Sequence, residues 1–213
     1  MKKEQLMLYA VTDRMWVGKW SLEEQVEAAL RGGVTCLQLR EKGLSEKELI
    51  QEAKRILPIT RRYQVPCIVN DSVEAALACG ADGVHLGQGD MSAVEARKRL
   101  GPDKIIGVSA RTVEQAVLAQ QMGADYLGAG AVFATSTKED ARPMERETLR
   151  AITAAVSIPV VAIGGITQQN LPRLSGTGVA GAALVSAIFG ASDIEEAVRQ
   201  LKKTVKQMLE EEA

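Results

Sequence analysis

The side chains able to do chemistry in this 213-residue chain fall into short clusters, and the densest is Gln38-Leu39-Arg40-Glu41-Lys42. Residues two apart on a strand share a face, so Gln38, Arg40 and Lys42 are expected to point the same way. An arginine facing a low-dielectric interior needs a counter-charge, either an anionic substrate that it clamps or a carboxylate of the fold. Asn70-Asp71 and His85-Leu86-Gly87-Gln88-Gly89-Asp90 add two carboxylates. Paired hard oxygen donors beside cations suit Mg²⁺ shared with substrate phosphate oxygens. Asp71 and Asp90 also each precede a helical pattern, where N-capping would use them equally well. Ser109 closes Gly107-Val108-Ser109, its hydroxyl free to donate to a phosphate or to start a turn. Ile163-Gly164-Gly165-Ile166 and Val185-Ser186-Ala187-Ile188 offer backbone N–H groups to a phosphate dianion. The one long polar run, Thr135 to Arg146, opens with Thr135, Ser136, Thr137 and Lys138. It reads as a mobile lid over an anionic substrate, or else as a solvated loop. His85, the single histidine, reads as a satisfied interior residue rather than a general base.

These clusters sit at the ends of recurring short apolar runs. Strands are predicted at 7–12, 36–40, 67–71, 83–86, 105–109, 126–129, 160–163 and 182–185. Amphipathic patterns lie between them at 22–31, 46–61, 73–78, 92–100, 113–122, 147–156, 168–174 and 194–209. Eight strand-helix pairs, at about 27 residues each, predict an α/β fold: a single (β/α)8 TIM barrel over residues 1–213. The steps Gly32-Gly33-Val34, Gly80-Ala81-Asp82, Gly123-Ala124-Asp125 and Gly178-Val179-Ala180 each end a helix and suggest quarter-barrel repeats. A doubly wound open sheet could use the same helix stops. In a barrel the strand ends carry function, and the polar clusters stand there.

Composition narrows the partners. Lys and Arg number 26 against 27 Asp and Glu, a formal charge of −1, so no positive field draws nucleic acid or an acidic membrane. No apolar run is long enough to span a bilayer, and the start Met1-Lys2-Lys3-Glu4-Gln5 lacks an export-type core, which predicts a cytoplasmic protein. Cys36, Cys67 and Cys79 have no metal-type spacing and read as buried free thiols. The oligomeric state is open, a homo-oligomer included.

Two anion sites on one rim, one of Gly backbone and one of Arg, Lys and a metal, imply a monophosphate and a diphosphate bound together, hence a joining reaction. In order, Gln38 to Lys42, Val69-Asn70-Asp71, Gly83 to Asp90, Gly107-Val108-Ser109, Thr135 to Lys138 and Ile163-Gly164-Gly165-Ile166-Thr167 resemble the motifs of thiamine phosphate synthase. The likeness runs from Tyr9-Ala10-Val11-Thr12-Asp13 to Val185-Ser186-Ala187-Ile188. It implies a transferase that joins 4-amino-2-methyl-5-pyrimidinylmethyl diphosphate to 4-methyl-5-(2-phosphoethyl)thiazole, with one Mg²⁺ per subunit. Carried over, it assigns Gln38, Arg40, Lys42, Asn70, Ser109 and Lys138 to the pyrimidine diphosphate, and Asp71 and Asp90 to the metal. Arg40, Ser109 and Lys138 would be the catalytic groups. Thr135, Ser136, Thr137, Gly165, Val185 and Ser186 would take the thiazole phosphate. The run Pro143-Met144-Glu145-Arg146 departs from the family pattern, which has a glycine soon after the proline. Rival readings are a thiazole tautomerase, which on the family pattern lacks the Asn-Asp step kept here, a barrel isomerase or epimerase shuttling protons, and a non-catalytic phosphate sensor. No serine, cysteine or histidine stands in a nucleophile-base pair. That fits diphosphate leaving first to give a pyrimidinylmethyl cation, which the thiazole nitrogen captures.

Overall fold

A computed structural model describes residues 1–18, 20–135 and 143–210. Eight short strands, β1 (Leu8–Val11), β2 (Cys36–Leu39), β3 (Cys67–Asn70), β4 (Gly83–Leu86), β5 (Ile105–Ala110), β6 (Tyr126–Gly130), β7 (Val160–Ile163) and β8 (Gly181–Leu184), are parallel. They close in chain order, β8 pairing back on β1 through Leu8↔Ala182 and Ala10↔Leu184. Strands this short and this apolar are stable only when covered on both faces. Their period of two divides them accordingly: Leu8, Ala10, Leu37, Leu39, Val84 and Ile106 pack with the helices, while Tyr9, Val11, Cys36, Ile68, Tyr126 and Val161 cluster inside the barrel.

The outer ring comprises α1 (Leu22–Gly32), α2 (Glu46–Arg62), α3 (Val73–Cys79), α4 (Ala93–Leu100), α5 (Val113–Gln121), α6 (Arg146–Ala155), the short α7 (Ser186–Phe189) and α8 (Ile194–Glu210). Ser21 and Ser45 start α1 and α2 with reciprocal caps from Glu24 and Glu48. α8 buries Ile194, Val198, Leu201, Val205 and Met208, one apolar stripe, and burying each such side chain contributes about 1.5–3 kcal/mol. No helix among the described residues is long and apolar enough to cross a membrane.

Gly33, Gly80 and Gly123 adopt positive φ just past α1, α3 and α5, so three of the repeated helix stops are present; Gly178 also has positive φ but follows a 3-10 turn that already ends at Leu174. The acid of the Gly-Ala-Asp step adds a role that the spacing did not reveal. Asp82 Oδ2 accepts from the Cys67 amide at 2.8 Å and Asp125 Oδ2 from the Ile106 amide at 2.7 Å, each satisfying a donor on the neighbouring strand. The helix expected over 168–174 is instead a 3-10 turn, Leu171–Leu174. Leu171 precedes Pro172, which disfavours α geometry, and Pro172 has no amide to carry a helical ladder onward, although Thr167 and Asn170 bond each other's amides at 2.8 and 3.3 Å in the reciprocal pattern of a helix start.

Candidate active site

At the top of β3, Asp71 stands just past the strand, its amide donating to the His85 carbonyl at 2.8 Å. Its φ of 65° is a left-handed conformation that aspartate tolerates better than most residues. The Ser72 amide turns back to the Asn70 carbonyl at 2.8 Å, so the carboxyl leaves the strand direction at a tight bend. The N-capping alternative is not what the structure adopts: Ser72 caps α3 through the Ala75 amide and Ser92 caps α4 through the Glu95 amide. Asp90 closes its own loop instead, Oδ2 accepting from the Gly87 amide at 2.6 Å.

The two carboxyls meet. Partial burial is the largest cause that pushes Asp71 from 3.8 up to about 6; hydrogen bonding to Asp90 and the charge of Asp90 follow, and Lys42 and Arg40 pull the other way. Four groups from three strand ends therefore share one field. Among the described residues no set of three or more His, Cys, Asp or Glu could hold a metal. A hard cation at the Asp71-Asp90 pair would complete its shell with water and substrate oxygens, as Mg²⁺ commonly does. The donor chemistry and the like-charge crowding both fit that ion.

Of the two readings of Arg40, the structure shows the ion pair with a carboxylate of the fold: its Nη1 pairs with Asp13 Oδ2 at 3.1 Å. Asp13 is itself fixed by the Met15 amide at 3.1 Å. A guanidinium carries five donors, so one ion pair through Nη1 and a grip on an anion are compatible. Glu41 faces away from the mouth. Buried, it accepts from Thr12 Oγ1 at 2.8 Å and meets Arg14 Nε at 2.9 Å, while Thr12 Oγ1 accepts from the Arg40 amide at 3.0 Å. Desolvation raises the Glu41 carboxyl despite those contacts. Thr12, Asp13 and Arg14 thus position the Arg40 loop, and sequence reasoning assigned none of them a role in the site.

Gln38 points into the barrel, its amide donating to Tyr9 OH at 3.0 Å. Ser109 Oγ lies 3.0 Å from His85 Nε2, and its carbonyl accepts from Gln88 Nε2 at 2.6 Å. His85 is satisfied on both ring nitrogens, Nδ1 lying 2.9 Å from Tyr126 OH. Lys42 is exposed on the rim, and Asn70 half-buried.

On the opposite side, Gly165 carries φ 65° directly against the β6 loop, where a Cβ would come 2.2 Å from the Ala134 carbonyl oxygen. Its carbonyl accepts from Asn170 Nδ2 at 2.8 Å. Val185 caps α7, its carbonyl accepting from the Ile188 and Phe189 amides, and Ser186 is the first residue of that turn. Thr135 begins the polar run beside these glycines, whereas Ser136, Thr137 and Lys138 lie outside the described residues. The far root of that run is anchored: Met144 donates to the Ala131 carbonyl at 2.6 Å, and the Arg146 guanidinium bonds the carbonyls of Arg173 and Ser175. The side-chain tether in this segment is Arg146.

The family model for thiamine monophosphate synthase matches residues 8–188. The chain belongs to this family. It is 51% identical over 194 residues to the thiamine-phosphate synthase of Ruminiclostridium cellulolyticum, covering 91% of this chain and 92% of that one. It is 45% identical to that of Clostridium acetobutylicum over 97% and 98% of the two chains. The solved thiamine phosphate pyrophosphorylase from Pyrococcus furiosus superposes with a TM-score of 0.89 at 42% identity, over 97% of this chain and 98% of that one. A 3-hexulose-6-phosphate synthase, at 18% identity and TM-score 0.62, shares the fold alone. Within a thiamine monophosphate synthase, Gln38, Arg40, Lys42, Asn70, Asp71, Asp90 and Ser109 thus stand along one rim from β2 to β5, and Thr135, Gly165, Val185 and Ser186 at the ends of β6 to β8.

Proposed function

We propose that this protein joins 4-amino-2-methyl-5-pyrimidinylmethyl diphosphate to 4-methyl-5-(2-phosphoethyl)thiazole, giving thiamine phosphate and diphosphate. The observation that carries the reading is the Asp71 carboxyl crowded against Asp90 within the field of Lys42 and Arg40. Such a constellation suits an anion and a divalent cation held together, and family membership supports a diphosphate as that anion.

Asp71 and Asp90 would hold Mg²⁺, which when bound supplies Lewis-acid neutralisation of the diphosphate oxygens. Arg40, Lys42, Lys138 and Ser109 grip that diphosphate and stabilise the charge that grows as the pyrimidinylmethyl C–O bond breaks. Gln38 and Asn70 orient the pyrimidine so that its amino group feeds electrons to the methylene carbon. Thr135, Ser136 and Thr137 seat the thiazole, and Gly165, Val185 and Ser186 hold its monophosphate. The ring nitrogen's lone pair then forms the C–N bond. No proton has to leave the nucleophile, so no general base is assigned. The free thiols of Cys36, Cys67 and Cys79 support a cytoplasmic setting, where thiols stay reduced.

Mixing both precursors with the protein and Mg²⁺, and omitting each component in turn, tests the assignment. Thiamine phosphate and diphosphate are expected in equal amounts from the complete mixture alone. Consumption of either precursor by itself would favour a hydrolase or isomerase.

A further inference from the structure

Five side chains from five strands form one hydrogen-bonded line across the barrel interior. Gln38 Nε2 donates to Tyr9 OH at 3.0 Å. Tyr9 OH lies 2.8 Å from Tyr126 OH, Tyr126 OH 2.9 Å from His85 Nδ1, and His85 Nε2 3.0 Å from Ser109 Oγ. Each hydroxyl has one proton and two lone pairs and a neutral imidazole one N–H, so two arrangements of the line exist. In the reverse one Ser109 donates to Nε2, Nδ1–H to Tyr126 and Tyr126 to Tyr9, which leaves the buried Tyr9 proton only the Cys36 thiol, a weak acceptor. In the forward one Tyr9, which accepts from Gln38, donates to Tyr126 and Tyr126 to Nδ1, the ring proton sits on Nε2 directed at the Ser109 oxygen, and every buried phenol proton meets a strong acceptor. Ser109 accepts there, which leaves its own proton for a partner at the barrel mouth.

We propose that Tyr9, Tyr126 and His85 are positioning residues that set the polarity of Ser109, holding its hydroxyl as a donor to the departing diphosphate. This rests on the reading of Ser109 given above. Tyr9 and Tyr126 are 1% and 0% exposed, so each phenol would carry an uncompensated desolvation cost without the line. Burial pushes both phenols well above the usual tyrosine range, and they remain neutral donors. The Cys36 thiol also lies within hydrogen-bonding reach of Tyr9, but a thiol is a weaker acceptor than a phenol oxygen. The barrel is built around the line: at Gly107 on β5 a Cβ would come 2.1 Å from Tyr126 Cζ, so only glycine there admits the ring. Both ends of the line, Gln38 and Ser109, are residues assigned to the same substrate, and the Tyr-Tyr-His centre joins them through the core rather than across the solvent.

His85 is the chain's only histidine, so a long-range ¹H–¹⁵N correlation spectrum of the uniformly labelled full chain reads this one imidazole without assignment. The proposal expects a single neutral tautomer protonated at Nε2. In Tyr126→Phe, which removes the donor to Nδ1 and keeps the ring, the tautomers should mix. There kcat should fall roughly five- to tenfold, the worth of one neutral hydrogen bond, with KM for the pyrimidine diphosphate changed less than about twofold. An Nδ1-protonated ring in the wild type would overturn the proposal, as would a Tyr126→Phe protein keeping both the wild-type tautomer and the wild-type kcat. If Tyr126→Phe fails to fold, the wild-type spectrum alone decides. The tautomer is read without substrate, so its failure is distinct from a failure to make thiamine phosphate.

Discussion

Replacing Asp71 with asparagine should make the protein more stable and much less active. Asparagine keeps the shape of aspartate and tolerates the φ of 65° at this position, so the change removes a charge with little else. In the folded chain Asp71 titrates at about 6 against an ordinary 3.8. The folded state therefore holds a proton that the unfolded state releases, and stability conferred below pH 4 is lost as pH rises through 6. The full difference corresponds to about 3 kcal/mol, and solvent screening at the open rim reduces it to about 1 kcal/mol. For a chain of this length that is roughly 2–4 °C in Tm. Thermal melts by circular dichroism at pH 8 without Mg²⁺ should show Asp71→Asn melting higher by that amount, with the difference shrinking toward pH 4. Turnover should fall about 10²–10³-fold, as when one charge-stabilising contact is removed. A variant that melts lower than wild type at pH 8 while turning over normally would refute both the like-charge crowding and the role assigned to the pair.

Further outcomes follow from the same geometry. Mg²⁺ competes with the Asp71 proton, so affinity measured by titration calorimetry should drop about tenfold per pH unit below 6 and level off above it; a flat profile between pH 5 and 7 would exclude Asp71 as a ligand. Asp13→Asn removes the charge that holds Arg40 Nη1, and steady-state kinetics should show KM for the pyrimidine diphosphate rising a few-fold while the melting temperature moves little. Arg14→Ala strands the buried Glu41, and denaturant titration should show a loss of about 2–4 kcal/mol at neutral pH, partly recovered as pH falls and the raised Glu41 carboxyl takes a proton. Gly165→Ala drives a Cβ into the Ala134 carbonyl and should lower stability by about 2 kcal/mol or more, with weaker binding of the thiazole phosphate by calorimetry.

Much of this was legible because the strand periods and glycine stops are local. All eight strands and the polar tips of β2 to β5 could be placed from runs of apolar residues. Asp71 and Asp90 could be paired because neighbouring parallel strands bring their carboxyl ends together. The capping ambiguity was also local in origin: Ser72 and Ser92 sit one and two residues beyond the acids, and only coordinates show which side chain reaches the helix amides. The Tyr9-Tyr126 contact joins residues 117 apart in sequence, a separation on which periodicity is silent. Glu41, inside the densest motif, turned out to face the fold rather than the mouth. Its partner Arg14 lies 27 positions earlier, in a short 3-10 turn, Arg14–Trp16, that periodicity does not mark.

As proposed above, the Asp71-Asp90 pair holds a divalent ion against a diphosphate. Crystals grown with Mn²⁺ and inorganic diphosphate, measured at the manganese edge, address it directly. One anomalous peak is expected between the two carboxyls, with diphosphate oxygens in its shell and Arg40 and Ser109 on the same anion. A diphosphate bound with no metal peak at that pair, or a peak elsewhere with Asp90 still engaged only with the Gly87 amide, would contradict it.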